Sequence, residues 1–249
     1  MSDVGRIRER NEDAIDWDAA LGVVMLADGM GGSQAGDVAS RTALRSIKDD
    51  LRRALADVSR RGPRANSREV RELLVVELVR RANQGVRKSA SRDNRLSGMG
   101  TTLVMVLVGP DFLTAAHVGD SRLYRLKEGI LSRLTEDHSM VQELVQRGQL
   151  NATQAARSRH RNVITRALGK SPDVTVDVAH HDIVAGDVFL LCSDGLTNML
   201  TDAELGATLA AHPGDLEAAA CNAVRLANER GGRDNISVVL IRILASDHE

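Results

Sequence analysis

Four stretches of the chain are almost continuously apolar: 21–27 (LGVVMLA), 103–108 (LVMVLV), 188–192 (VFLLC) and 236–243 (ISVVLIRI). Runs this short and this rich in Val, Ile and Leu predict strands. Their continuity, in place of alternation, predicts strands buried on both faces. Shorter strands are predicted at 114–118 (TAAHV), 123–126 (LYRL) and 174–179 (VTVDVA). The turns GPD at 109–111 and KEG at 127–129 predict antiparallel hairpins between neighbouring strands. Two long helices interrupt the strands. Leu44, Ile47, Leu51 and Leu55 recur at helical spacing in 33–58, and Val75, Val79, Ala82 and Val86 do so in 67–93. Gly62-Pro63 and Asn66-Ser67 supply the break, with Ser67 as the helix start. Shorter helices are predicted around 138–147, 151–157, 202–211 and 215–229. Strands covered on both faces, with a helical hairpin between early ones, imply two sheets back to back with helices outside.

Composition narrows the class. The chain has 249 residues, 43% hydrophobic and 27% charged, as an ordinary globular protein does. No repeat, linker or low-complexity stretch divides it, so residues 1–249 are expected to form a single domain. No apolar run is long enough to span a bilayer, and MSDVGRIRERNED carries no signal-type apolar core. Cys192 and Cys221 make no disulfide framework, and a cytoplasmic location is the expectation. The net charge of −1 announces no nucleic-acid partner, and four aromatics (Trp17, Phe112, Tyr124 and Phe189) are too few for a base-stacking platform. Of 33 basic residues all but Lys48, Lys88, Lys127 and Lys170 are Arg, which reads first as genomic bias and second as a supply of phosphate-binding forks. Residues 52–95 hold 13 Lys/Arg against 5 Asp/Glu, the pattern of a solvated outer helical face or, less simply, a docking surface for an acidic partner. No dimer stripe is visible, and a monomer is expected.

The acids carry the chemistry. Asp28 follows the first apolar run and precedes Gly29. Asp120 follows HVG, Asp194 follows VFLLCS and precedes Gly195, and Asp234 stands in GGRDN before the last strand. One Asp at a strand edge is usually a turn former or helix cap. Four such edges gathered at one rim would crowd like charges, which is costly unless cations sit between them. All-oxygen donors select Mg²⁺, Mn²⁺ or Ca²⁺ over Zn²⁺. There is no HExxH, no CxxC and no His pair at metal spacing; the adjacent His180 and His181 diverge along a strand and read as surface. Two hard ions held by carboxylates are apparatus for attack on phosphorus, acidifying a bound water and offsetting phosphoryl charge. Arg8, three residues before Asn11-Glu12-Asp13, is placed to clamp a phosphate while the acids hold metal waters.

RERNED at 8–13, ADGMGG at 27–32, GMGTT at 98–102, VGDSR at 118–122, CSDGLTNML at 192–200 and GRDNISV at 232–238 stand in the order of the metal-dependent protein phosphatases of the 2C type. The resemblance spans essentially the whole chain and is to the compact bacterial form, which LTEDHS at 134–139 and NVITRALG at 162–169 also resemble. It implies an α+β fold, a four-layer αββα sandwich with two mostly antiparallel central sheets. It implies phosphoserine and phosphothreonine hydrolysis by a metal-bound hydroxide, with two Mn²⁺ or Mg²⁺ ions. Carried over, Asp28 resembles the bridging ligand and Gly29 offers its carbonyl. Asp194 and Asp234 resemble ligands of the first metal, and Asp120 the ligand of a third, weaker site. Glu12 and Asp13 resemble supports for metal waters, Arg8 resembles the phosphate clamp, and Ser193, Gly195 and Asn235 stand as supporting neighbours. Residues 148–162 resemble a mobile flap. The implied partners are phosphorylated proteins, a Ser/Thr kinase among them, with no nucleic acid and no membrane.

Two positions depart from that pattern. Met30 stands where eukaryotic members often have His as proposed general acid, as Met does in many bacterial members, and a thioether cannot donate a proton. The flap reads SRHRN where relatives often read HPxRN, with Ser158 and Arg159 at the His and Pro positions. Rival readings are weaker. A haloacid-dehalogenase-like enzyme needs DxDxT, and Asp28-Gly29-Met30 lacks the second Asp. A cysteine-dependent phosphatase needs CxxxxxR, and no Arg follows Cys192 in 193–199. A binding-only pseudophosphatase requires lost ligands, and every ligand position is filled.

Overall fold

The computed structural model describes residues 1–31, 35–58, 67–160 and 162–245. Gly32, the expected helix start at residue 33, the break at Gly62-Pro63 and Asn66, and Arg161 of the flap lie outside the described residues. In chain order the strands are β1 (Ser2–Asp3), β2 (Asp13–Asp18), β3 (Val23–Met30), β4 (Gly100–Thr101), β5 (Leu103–Val108), β6 (Phe112–Val118), β7 (Arg122–Lys127), β8 (Ile130–Arg133), β9 (Asp177–Asp182), β10 (Val188–Cys192) and β11 (Ile236–Arg242). The helices are α1 (Ala35–Val58), α2 (Arg68–Arg92), α3 (Met140–Gln146), α4 (Ala152–Arg157), α5 (Asp194–Thr197), α6 (Asp202–Ala210) and α7 (Leu216–Glu229).

The strands form two antiparallel sheets. One runs β1-β11-β10-β7-β8; the other runs β2-β3-β5-β6-β9, with β4 also on β3. Period-two alternation sends neighbouring side chains of one strand into different cores. Met25 and Leu26 are both fully buried, yet Met25 packs under α1 and α2 with Ile47, Leu51 and Val79, whereas Leu26 faces Phe189 and Leu191 between the sheets. On the far side Leu190, Cys192 and Val238 pack against Leu205 and Ala223 of α6 and α7. The order is helix, sheet, sheet, helix: the αββα sandwich that the continuous apolar runs and the motif order both implied. Ser67 caps α2, its hydroxyl accepting the Val70 amide. The KEG turn joins β7 to β8 with Glu128 at φ 52° and Gly129 at φ 78°, the double left-handed geometry that suits a two-residue hairpin.

Three local expectations need correction. β3 does not stop before Asp28. It continues to Met30 because β2 and β4 pair with its end, setting Asp13 opposite Asp28 and Gly29 opposite Thr101. β2 itself, DAIDWD, carries too much charge to be read as a strand; it is an edge strand and leaves Trp17 62% exposed. β9 lies three residues beyond 174–179, because pairing with β6 sets Ala179 against Ala115 and His180 against Thr114. His180 and His181 are therefore half-buried, not surface residues, and His180 Nδ1 lies 3.1 Å from Thr114 Oγ1.

Candidate metal centre and active site

The two sheets bring the acidic motifs to one end of the sandwich. Asp28 is fixed by three bonds from the GMGTT segment. Its amide donates to Thr102 Oγ1 (2.9 Å), and its carbonyl accepts from Thr102 N (2.8 Å) and Thr101 Oγ1 (2.9 Å). Thr102 Oγ1 in turn meets Ser121 Oγ at 2.7 Å, so the corner that carries Asp120 is tied to the strand that carries Asp28. At Gly29 an added Cβ would meet the Glu12 carbonyl oxygen at 2.6 Å, and at Gly195 it would collide with the Asn235 carbonyl. Both glycines permit close backbone approach. Asp194 opens α5, and its Oδ2 accepts from Asn198 Nδ2 at 2.9 Å. Ser193 precedes that helix without capping it, because its hydroxyl donates to Asp13 Oδ2 at 2.8 Å. Asn235 joins the N-terminal segment to β11. Its Oδ1 accepts from Glu12 N (2.8 Å), and its Nδ2 donates to the carbonyls of Val4 (2.9 Å) and Arg10 (2.8 Å).

Charge at this end is unbalanced. Burial raises Asp28 well above the usual carboxylate range, reinforced by Asp13, Asp194, Asp120 and Asp234. Burial likewise lifts Asp13 and Asp120 to about 7 and Asp194 to about 6. Asp13 Oδ1 is buried without a partner. Glu12 is raised by burial while its Oε1 accepts the Gly36 amide at 3.2 Å. Arg8 does not stand open for a ligand: its Nη2 bonds Asp234 Oδ2 at 2.8 Å. Crowded, desolvated, oxygen-only donors with one orphaned oxygen are the environment that hard divalent cations relieve. The residues present therefore fit two Mg²⁺ or Mn²⁺ ions.

The structure gathers Arg8, Glu12, Asp13, Asp28, Gly29, Asp120, Asp194, Asp234, Ser193, Gly195 and Asn235 into one neighbourhood. Among the described residues, however, three metal-type donors come within 4.8 Å of one another at His117, His138 and Asp177. That trio was invisible as a motif because its members lie far apart in sequence. Two grooves flank the aspartates. One of about 350 Å³ is bounded by Asp120, Asp194, Arg122 and Asp137, with Ala155 and Asn162. Another of about 350 Å³ adjoins Met30, Arg166 and Lys170. Met30, two residues after Asp28 on β3, projects from the same strand face. The roles of Thr101 and Thr102 were missed as well; GMGTT marked the place but not the bonds.

Comparison with known proteins places the whole fold beside one family. The family model described as Protein phosphatase 2C matches residues 6–236. The serine/threonine phosphatase stp of Listeria innocua is 37% identical over 243 residues, covering 96% of this chain and 93% of its own. The crystal structure of the Mycobacterium tuberculosis serine/threonine phosphatase PstP/Ppp superposes with a TM-score of 0.86 at 31% identity, covering 98% of this chain and 97% of that one. The catalytic domain of the serine/threonine protein phosphatase PstP, solved in complex with two manganese ions, gives 0.82 at 31% identity, covering 98% and 96%.

Proposed function

The chain belongs to the protein phosphatase 2C family, which makes it a metal-dependent protein serine/threonine phosphatase, and from that premise we propose how its residues carry the reaction. Asp28, Asp194 and Asp234, with the Gly29 carbonyl, hold two Mn²⁺ or Mg²⁺ ions, and Asp120 serves a third, weaker site. The observation that carries this reading is the burial of Asp13, Asp28, Asp120 and Asp194 against one another, with Asp13 Oδ1 unpartnered. When bound, the ions supply an acidified water and neutralise charge on the phosphoryl oxygens. Glu12 and Asp13 orient the attacking water, and Ser193 fixes the Asp13 carboxylate that does so. Arg8 leaves Asp234 to grip the substrate phosphate, a charge-assisted contact suited to a guanidinium fork. Met30 supplies no proton, so the leaving alkoxide takes one from water.

Residues 1–249 act as one catalytic unit, a reading supported by the pairing of β1 with β11, which joins the two ends of the chain in one sheet. Residues 148–162 form a flap over the groove beside Asp120 and Asp194. The substrates are phosphorylated proteins in the cytoplasm, a Ser/Thr kinase among them, met by a monomeric enzyme. No described helix is long and apolar enough to cross a membrane. The test is hydrolysis of a phosphothreonine peptide and of an autophosphorylated Ser/Thr kinase, with and without chelator. Activity should vanish on exhaustive chelation and return with Mn²⁺ better than with Zn²⁺. Undiminished turnover after chelation would refute the assignment.

A further inference from the structure

His117, His138 and Asp177 have the donor types and proximity of a metal site, but their hydrogen bonds assign them another task. The Gly119 backbone N–H donates to His138 Nδ1 at 3.1 Å. A backbone amide can only donate, so Nδ1 is the unprotonated nitrogen and Nε2 carries the hydrogen. That hydrogen faces Asp177 Oδ2 at 3.2 Å, and Arg166 Nη1, which also lies 3.2 Å from Nε2 and can only donate, gives its hydrogen bond to Asp177 Oδ1 at 2.8 Å. A metal on Nε2 would require the proton on Nδ1, where it would confront the Gly119 N–H. Asp177 is also occupied by Arg166 at 2.8 Å, which places a fixed cation where the ion would go. His117 supports the same arrangement: its Nε2 lies 2.8 Å from the Glu136 carbonyl, and its ring stacks on His138 with centroids 4.5 Å apart.

What His138 grips is one residue from two sides. Its backbone N–H donates to the Gly119 carbonyl at 2.9 Å, while its ring accepts from the Gly119 amide. Gly119 sits at φ 106°, and an added Cβ would meet Thr102 Cβ at 2.7 Å. The corner is thus wedged between Thr102 and His138, and the next residue is Asp120. On its other side His138 accepts from Thr165 N at 2.8 Å, and Met140 N donates to the Val163 carbonyl at 2.9 Å, so the segment after the flap is attached to the same hub.

We propose that His138, oriented by Asp177, is a positioning residue that fixes the Gly119–Asp120 corner and so links the segment after the flap to the Asp120 metal site. The proposal rests on the reading of Asp120 as a ligand of the weaker site. Two isosteric variants separate its halves. Asn at 138 places an amide oxygen near Nδ1 and keeps the acceptor for Gly119. Gln reaches toward Asp177 and loses it.

Mn²⁺ equivalents are counted by equilibrium dialysis with electron paramagnetic detection, alongside kcat and KM for a phosphothreonine peptide. His138→Gln should lose the weakest Mn²⁺ and about tenfold in kcat/KM, the scale of one well-placed hydrogen bond. His138→Asn should stay within about threefold and retain that ion. In the Asp120→Ala background His138→Gln should add nothing. Equal behaviour of Asn and Gln, or full additivity with Asp120→Ala, would overturn the proposal. Tight Zn²⁺ binding abolished by His117→Ala would overturn it in favour of a metal site. If Asp120→Ala keeps every ion and full activity, the Asp120 reading itself falls; an impaired His138→Gln would then show that His138 acts elsewhere.

Discussion

Buried carboxylates occur in two settings in this molecule, and their neighbours differ in sign. Asp187 is 2% exposed and pairs with Arg125, also accepting the Val184 amide at 2.9 Å. Asp137 accepts both Nε (2.9 Å) and Nη2 (2.7 Å) of Arg122, and Arg133 adds a third bond at 2.8 Å. Asp120 is buried and Asp13, Asp28 and Asp194 are half-buried, but all four are pushed upward by desolvation and by one another. The first setting is architecture, since the guanidinium returns what desolvation costs only when geometry is good. The second is incomplete as protein alone. A buried acid with its own arginine holds the fold together; a crowd of acids without one is built for a cation from solution.

The sharpest test of that contrast is substitution. Asp28→Asn and Asp194→Asn should each lower turnover by several powers of ten, because they remove the proposed ligands of the ions that lower the barrier. Circular dichroism should show the fold retained, since one of several repelling anions is gone. Asp187→Asn should do the reverse: about 3 kcal/mol lost from stability in denaturant titration, with turnover per folded molecule unchanged. Near-normal turnover in Asp28→Asn would erase the distinction between the two settings.

Chelation combined with pH sharpens it further. The cluster carboxyls hold their protons more tightly in the fold than in the unfolded chain, where an Asp titrates near pH 4. Their contribution to stability is complete below about pH 4 and is lost as pH rises through the folded values of about 6 to 7. The chelated protein should therefore lose Tm between about pH 5 and 8. Added Mn²⁺ should restore it most at the alkaline end. Asp28→Asn should flatten the chelated profile, and a profile identical to the parent's would place the destabilisation elsewhere.

Arg8 reaches the acidic crowd from outside, through Asp234. Arg8→Ala should raise KM for a phosphopeptide about ten- to a hundredfold, and Arg8→Lys should recover only part, because a point charge loses the fork. A fall in kcat with KM unchanged would move Arg8 from ground-state binding to the transition state. The smallest effect is expected at Met30. Met30→His should help a phosphoserine peptide by a few-fold, well under the ~10²–10⁴ of an optimally placed general acid, and an aryl phosphate less. The gain should fade above the usual His value of about 6.5. Equal effects on both substrates would show that position 30 only lines its groove.

Much of this protein was decided by short-range chemistry that a sequence displays. The apolar runs at 103–108 and 188–192 coincide with β5 and β10, the KEG turn closes its hairpin, and Ser67 caps its helix. Those outcomes depend on side-chain period, glycine at positive φ and one hydroxyl, all set within a few residues. The candidate site residues were also named, because each stands in a motif of five or more residues. What only the tertiary structure decided is where chains distant in sequence meet. β2 became a strand through pairing with β3, not through its own charged residues, and that register set Asp13 against Asp28. Pairing with β6 moved β9 three residues along and turned His180 inward. Arg8 met Asp234 across 226 positions, and His138 met Gly119 and Asp177 from separate elements. Register, burial and the sign of a neighbour's charge are properties of packed pairs, and no single segment carries them before the sheets close.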